Sequence, residues 1–214
     1  MSKIYNNSQL SNLVFYLNMV RTNSISIPLG TKLPEFQMLN VNTKTIKPFN
    51  ISFLDERDLL IMFICAHCPF VKYIENEISR LSKEIEDYVQ IIAVSSNDAK
   101  TYPDDSPENL RNQSKRNKWK FPYLYDEDQS FAKQLRAACT PDFYLFCNSD
   151  KDFSLFYHGQ LDSSRPSNNI PPTSRDLLMA IQAMRKEEIY TFPIQPSLGC
   201  NIKWKLGAEP SWFK

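Results

Sequence analysis

The tightest constraint in this chain is local. An unbroken apolar run, Leu59-Leu60-Ile61-Met62-Phe63-Ile64, gives way at once to Cys65-Ala66-His67-Cys68, and Pro69 follows. A run of that kind suits a strand buried on both faces, since alternation is needed only where one face meets water. Pro69 suits the first turn of a helix, where its missing N–H has no partner to lose. Beyond it Val71, Ile74, Ile78 and Leu81 recur on one side, with charged residues on the other. The two cysteines are therefore expected at a strand-to-helix junction.

The rest of the chain repeats that alternation. Phe36 to Asn40 and Lys44 to Phe49 read as a short hairpin, and Val89 to Val94 as a second buried strand. Ser106 is placed to cap a helix opening at Pro107. Phe121 to Tyr125 reads as extended and Ser130 to Ala138 as a short helix. Phe143 to Cys147 and Phe153 to Tyr157 form a hairpin turning at Asn148-Ser149-Asp150, and Thr173 to Ile189 a capped amphipathic helix. Strands alternating with helices call for an α/β fold, a central mixed β-sheet flanked by helices. Near the start, Leu10, Leu13, Val14, Leu17 and Val20 fall at helical spacing, which predicts an amphipathic helix rather than a signal peptide. The organisation expected is an N-terminal helical extension over residues 1–26, a domain over 27–190 and a C-terminal tail over 191–214 packed on it.

Bulk composition excludes several classes. Lys+Arg and Asp+Glu number 25 and 24, so there is no electrostatic footprint for nucleic acid or an anionic membrane. With 4 glycines against 14 prolines, glycine-dependent phosphate loops are scarce, and no nucleotide fingerprint occurs. No apolar run approaches the roughly 20 residues needed to span a bilayer. Without a signal peptide the expected compartment is the cytoplasm, where structural disulfides are disfavoured. Five cysteines there, two of them in a CxxC, point to chemistry.

That chemistry follows from the junction. N–H groups at a helix start favour a thiolate, and a second cysteine one turn away can reach the first sulfur. Cys65 is expected to be the nucleophile and Cys68 the resolving thiol, with His67 between them stabilising the thiolate. Zinc would want four ligands and usually a second paired motif, so neither a metal nor another cofactor is expected. Cys147, inside an apolar strand, reads as core.

Taken together, Leu33-Pro34-Glu35-Phe36, Cys65-Ala66-His67-Cys68-Pro69-Phe70, Ser95-Ser96-Asn97-Asp98, Ala138-Cys139-Thr140-Pro141-Asp142-Phe143 and the turn from Gly159 to Pro166 resemble the thioredoxin superfamily. Within it the chain resembles the alkyl hydroperoxide reductase/thiol-specific antioxidant, peroxiredoxin-like group. Gly199-Cys200-Asn201-Ile202-Lys203-Trp204-Lys205 is similar to the tail of a peroxiredoxin-like subgroup. The resemblance implies a thioredoxin-like fold with Pro141 as a cis-proline facing the redox pair and Thr140 offering backbone groups to an extended substrate. It also departs from both parents. Ile64 and Ala66-His67 stand where thioredoxins carry Trp and Gly-Pro, and Cys65 occupies the threonine position before the Cys68-Pro69 of peroxiredoxins. Thr140-Pro141 stands near where those enzymes carry a peroxide-polarising arginine, and Arg136 comes too early to match it.

The function expected is thiol–disulfide exchange, with peroxiredoxin-like reduction of hydroperoxides as a second reading and a redox-regulated binding protein as a third. Its partners would be a protein or small-molecule disulfide, or a hydroperoxide, and a cellular thiol reductant. Cys200 could fold back as a further resolving thiol. Cys139 lies close enough to accept the disulfide in turn, although a buried bystander fits it better.

Overall fold

The computed structural model of the chain describes residues 21–43 and 48–213. The helix expected around Leu10 to Val20 and part of the first hairpin lie outside those residues. The centre of the structure is β4 (Asp58–Phe63), the apolar run that precedes the cysteines. It pairs in parallel with β5 (Val89–Ser95) on one side and antiparallel with β8 (Asp142–Ser149) on the other. The sheet extends through β6 (Tyr123–Tyr125), β2 (Gln37–Asn40) and β3 (Pro48–Asn50) at one edge and β9 (Asp152–Gly159) at the other, in the order β3-β2-β6-β5-β4-β8-β9.

Because side chains alternate across a strand, β4 divides its residues between two cores. Leu60 and Met62 join the side chains of α1 (Pro69–Ile85), α2 (Pro107–Asn117) and α4 (Arg175–Arg185). Leu59, Ile61 and Phe63 turn to the opposite face, where Phe131 and Ala132 of α3 (Ser130–Gln134) lie with Leu33, Phe36, Ile202 and Trp204. Burying one such aliphatic side chain contributes about 1.5–3 kcal/mol, which is why the run contains no polar residue.

Several boundaries differ from expectation for local reasons. Ser106 caps α2 through its hydroxyl, which accepts the Asn109 N–H at 3.4 Å. The long helix begins only at Arg175. Ser174 sits at φ 56° and makes no side-chain cap, its hydroxyl donating instead to Glu77 Oε1 at 2.6 Å. The β8–β9 turn falls on Asp150 and Lys151, with φ of 52° and 67°, a pair of left-handed residues matching the twist of the flanking strands.

Two extensions prove to be one small sheet. β1 (Arg21–Asn23) pairs antiparallel with β10 (Leu198–Asn201), which pairs antiparallel with β7 (Cys139–Thr140). Within the stretch 1–26, expected as a helical extension, the described residues 21–23 form a strand. The tail from 191 does more than cover the domain, since it supplies the central strand of this second sheet.

Candidate active site

The chain leaves β4 at Phe63 and turns through Cys65 to His67 before α1 starts at Pro69. Asp105, at the end of a short 3₁₀ turn (Pro103–Asp105), holds that turn in place. Its Oδ1 accepts the N–H groups of Ala66 at 2.8 Å and His67 at 3.0 Å. Its Oδ2 accepts Asn97 Nδ2 at 2.7 Å and contacts His67 Nδ1. The backbone donors between the cysteines are therefore already spent on a carboxylate.

This shifts the helix-end electrostatics from Cys65, where they were expected, to Cys68. Cys68 is the N-cap residue of α1. Burial opposes its thiolate, but hydrogen bonding with the Cys200 and Cys65 side chains and with the N–H groups of Val71 and Cys200 holds its pKa well below that of an ordinary thiol. Burial pushes the Cys65 thiol well up, reinforced by neighbouring Cys68 and by the Asp105 carboxylate, with Thr140 opposing weakly. Of the two, Cys68 has the surroundings that favour a thiolate and Cys65 those that oppose one.

Around Cys65 the sulfur lies 3.8 Å from His67 Nδ1 and 3.4 Å from Thr140 Oγ1. His67 Nδ1 thus stands between the Cys65 sulfur and the Asp105 carboxylate, and its N–H, held by that carboxylate, fixes the imidazole beside Cys65. Tyr102 stacks on the imidazole at 6.3 Å between centroids. Gln113 Nε2 donates to the Cys65 carbonyl at 3.1 Å, and Tyr123 OH donates to Gln113 Oε1 at 3.0 Å, fixing the turn from beneath.

The Thr140–Pro141 peptide is cis and faces the pair. Cys68 Sγ is 3.2 Å from the Thr140 carbonyl oxygen. Cys200 Sγ lies 2.9 Å from Cys68 Sγ, so the structure brings three thiols together. Hydrogen bonding to Cys68 raises the Cys200 pKa far above the usual thiol range, and burial adds to the rise. All three are enclosed, with exposures of 1% for Cys65, 0% for Cys68 and 1% for Cys200. A pocket against the cis-proline, bounded by Phe70, Pro141, Gln160, Arg165 and Ser197, has about 20 Å³ of internal volume, room for a water molecule.

Cys139 points the other way along β7, its sulfur against the carbonyls of Pro141 at 3.9 Å and Ser197 at 4.0 Å, and burial raises its pKa. Arg136 stands over Trp212. Behind Pro141, the buried carboxylate of Asp142 meets His158 Nε2 at 3.1 Å and Tyr144 OH at 3.0 Å. Among the described residues Cys65, His67 and Asp105 form a set of metal-capable donors, their ligand atoms within 4.8 Å of one another. Three donors, two of them in hydrogen-bond contact, suit proton transfer better than the four-coordinate shell of structural zinc.

Sequence reasoning missed Asp105, Asn97 and Gln113. They approach the cysteines only in three dimensions, from a loop and a helix whose spacing carries no sign of it.

A thiol pair where the central strand passes into a helix, faced by a cis-proline across this sheet order, defines the thioredoxin superfamily. The chain belongs to the AhpC/TSA family, whose model matches residues 29–152. An uncharacterized conserved protein from Geobacillus kaustophilus is 42% identical, with a TM-score of 0.82 over 89% of this chain and 99% of its own. A hypothetical protein from Sinorhizobium meliloti 1021 is 37% identical, with a TM-score of 0.80 over 87% of this chain and all of its own (100%). At 15% identity, a thioredoxin-like protein from Aeropyrum pernix shares the fold, with a TM-score of 0.52 over 70% of this chain and 89% of its own. No match is found among curated proteins. The family assigns the protein a thioredoxin-like redox function. Among the described residues no helix is long and apolar enough to cross a membrane.

Proposed function

We propose that the protein is a thiol–disulfide oxidoreductase that cycles Cys65 and Cys68 between dithiol and disulfide. One observation carries the reading: Cys65 and Cys68 sit together where β4 passes into α1, facing the cis Thr140–Pro141 peptide, with Cys65 Sγ 3.4 Å from Thr140 Oγ1 and Cys68 Sγ 3.2 Å from the Thr140 carbonyl oxygen. The Cys68 thiolate attacks one sulfur of a substrate disulfide, forming a mixed disulfide and releasing the other half as a thiolate that takes a proton from solvent. Cys65 then attacks Cys68 Sγ, its proton passing to the departing substrate sulfur. The Cys65–Cys68 bond forms, the remaining substrate thiolate leaves with a proton, and two electrons have passed to the substrate. A cellular thiol reductant reverses these steps on the protein.

This reading exchanges the roles expected from the sequence, in which Cys65 is the attacking sulfur and Cys68 the resolving one. The test is direct. A Cys65→Ser, Cys200→Ser double variant exposed to glutathione disulfide is expected to hold glutathione on Cys68, read by intact mass and peptide mapping. Cys68→Ser is expected to lose exchange activity. Full activity in Cys68→Ser would end this reading.

Reduction of hydroperoxides is a second reading, favoured by enclosure: the same buried thiolate admits a two-oxygen oxidant more easily than a folded polypeptide. It predicts that hydrogen peroxide oxidises the reduced protein far faster than it oxidises an ordinary free thiol, with the product disulfide identified by mass spectrometry.

A further inference from the structure

Cys200 arrives at the site on a strand. β10 runs antiparallel to β7 with Cys200 opposite Thr140 and Asn201 opposite Cys139. It thereby takes up the backbone edge beside the cis-proline that an incoming extended peptide would use for β-augmentation. The approach is close: a Cβ placed on Gly199 would lie 1.9 Å from the Thr140 carbonyl oxygen. Only glycine lets the strand come near enough to bring the Cys200 and Cys68 sulfurs to 2.9 Å.

The strand is also anchored at both ends. Ser197 exchanges hydrogen bonds with Ser24 at 2.9 Å in each direction. Beyond β10, Ile202 N–H donates to Ala138 O at 3.0 Å and Lys203 N–H to Asn97 Oδ1 at 2.8 Å. Gln129 holds both the Lys203 carbonyl and the Lys205 N–H at 2.9 Å. Asn97 thus connects the anchor of β10 to the carboxylate that orders the CxxC turn.

We propose that β10 is a tethered substrate strand and that Cys200 is the third thiol of the redox centre, exchanging with the Cys65–Cys68 disulfide to form Cys68–Cys200. The proposal rests on the cycling of Cys65 and Cys68 described above. In the step, Cys200 loses its proton and attacks Cys68 Sγ. The Cys68–Cys200 bond forms, the Cys65–Cys68 bond breaks, and Cys65 leaves as a thiolate that takes up the proton Cys200 gave up. One thiol and one disulfide stand on each side, so no outside oxidant or reductant enters this step. The closure from 2.9 Å to a bonded distance of about 2.05 Å is within side-chain motion. The neighbouring Cys68 and burial both oppose a Cys200 thiolate, and Lys203 favours one; a Cys68 held in a disulfide carries no charge to oppose it. The electrons of β10 then pass inward to the pair.

The full-length Cys65→Ser variant tests this. Reduced protein is treated with glutathione disulfide, quenched with acid and N-ethylmaleimide, digested with pepsin and mapped by mass spectrometry. The expected main product is a peptide pair linked through Cys68 and Cys200, with glutathione retained on under a tenth of the chains. Glutathione left on Cys68 with Cys200 alkylated would overturn the proposal. Wild-type protein oxidised to one disulfide per chain gives a second readout. Both the Cys65–Cys68 and the Cys68–Cys200 peptides are expected, and Cys65–Cys68 alone would overturn it. Cys200→Ser, oxidised in the same way, reports Cys65–Cys68 formation by itself, so failure of the underlying pair is seen separately from failure of the relay.

Discussion

Asp105 does two jobs that can be separated by changing a single atom. Its carboxylate accepts backbone N–H groups from the CxxC turn and also backs the imidazole that faces Cys65. Asp105→Asn keeps one acceptor oxygen but removes the charge and aims an amide N–H into a cluster of donors. In the proposed cycle Cys68 attacks an outside sulfur, whereas Cys65 must attack from the position that the Asp105-held imidazole gives it. The expected result is a first step within a few-fold of wild type and a resolving step slowed by ~10²-fold, the usual weight of lost positioning at a reacting group. Rapid-quench mapping checks it: the mixed disulfide on Cys68 accumulates in the variant of a Cys200→Ser background. Equal slowing of both steps would reduce Asp105 to a structural role. The contrast between Asp105 and the cysteines also shows what a sequence reveals at this scale. Cys65 and Cys68 declare themselves because one motif carries both. Asp105 and His67 meet across 38 positions, and no periodicity or spacing links a carboxylate in a polar loop to a histidine on the far side of a helix.

Elements with a strong period were legible, and those defined by long-range pairing were not. α1 announces itself through Val71, Ile74, Ile78 and Leu81, all of them buried, and β4 through its unbroken apolar run. β10 spans four residues, one of them Gly199, and the buried Ile202 and Trp204 that follow sit in irregular backbone. No repeat of 2 or 3.6 can emerge from so short a piece. What fixes it is fit, and fit predicts a sharp response. Gly199→Ala forces β10 away from Thr140. It is expected to lower stability by about 1–3 kcal/mol, as overpacking does, visible as a lower denaturation midpoint at unchanged slope. The start of α4 responds to pH instead. Asp162 accepts N–H groups from Ser164, Thr173 and Ser174 at 2.7–2.8 Å. Burial works against its carboxylate, but these donors prevail and hold its pKa below the ordinary value. A carboxyl whose folded pKa is depressed stabilises fully above its unfolded value, near 3.9, and that contribution drains away as pH falls through the folded one. Wild type is therefore expected to lose more stability than Asp162→Asn between pH 5 and pH 2, measured by urea denaturation at each pH. Parallel losses would exclude Asp162 as the source.

At the scale of the molecule, β10 joins parts of the fold that the main sheet leaves separate. Its Cys200 belongs to the core beneath α1, while Ile202 and Trp204, a few residues on, fill the core on the opposite face. The tail thus crosses from one side of the domain to the other, passing the redox centre on the way. A covalent bond at that crossing has a different thermodynamic reach from one within the CxxC. Cys65–Cys68 closes a loop of a few residues and removes little freedom from the unfolded chain. Cys68 and Cys200 are 132 positions apart, and a loop of that order restricts the unfolded ensemble by as much as ~5 kcal/mol in the chain-entropy model, against ~2 kcal/mol for the short one. For a chain of this size each 1 kcal/mol moves the melting temperature by about 2–4 °C. Oxidised Cys65→Ser, able to form only the long loop, is therefore expected to melt about 5–15 °C above its reduced form, and oxidised Cys200→Ser only a few degrees above its own. Calorimetry of the four samples checks the comparison. If the two oxidised variants gained equally, the crossing at β10 would not be where oxidation constrains the fold, and the tail would serve as a cover for the thiols rather than as a partner to them.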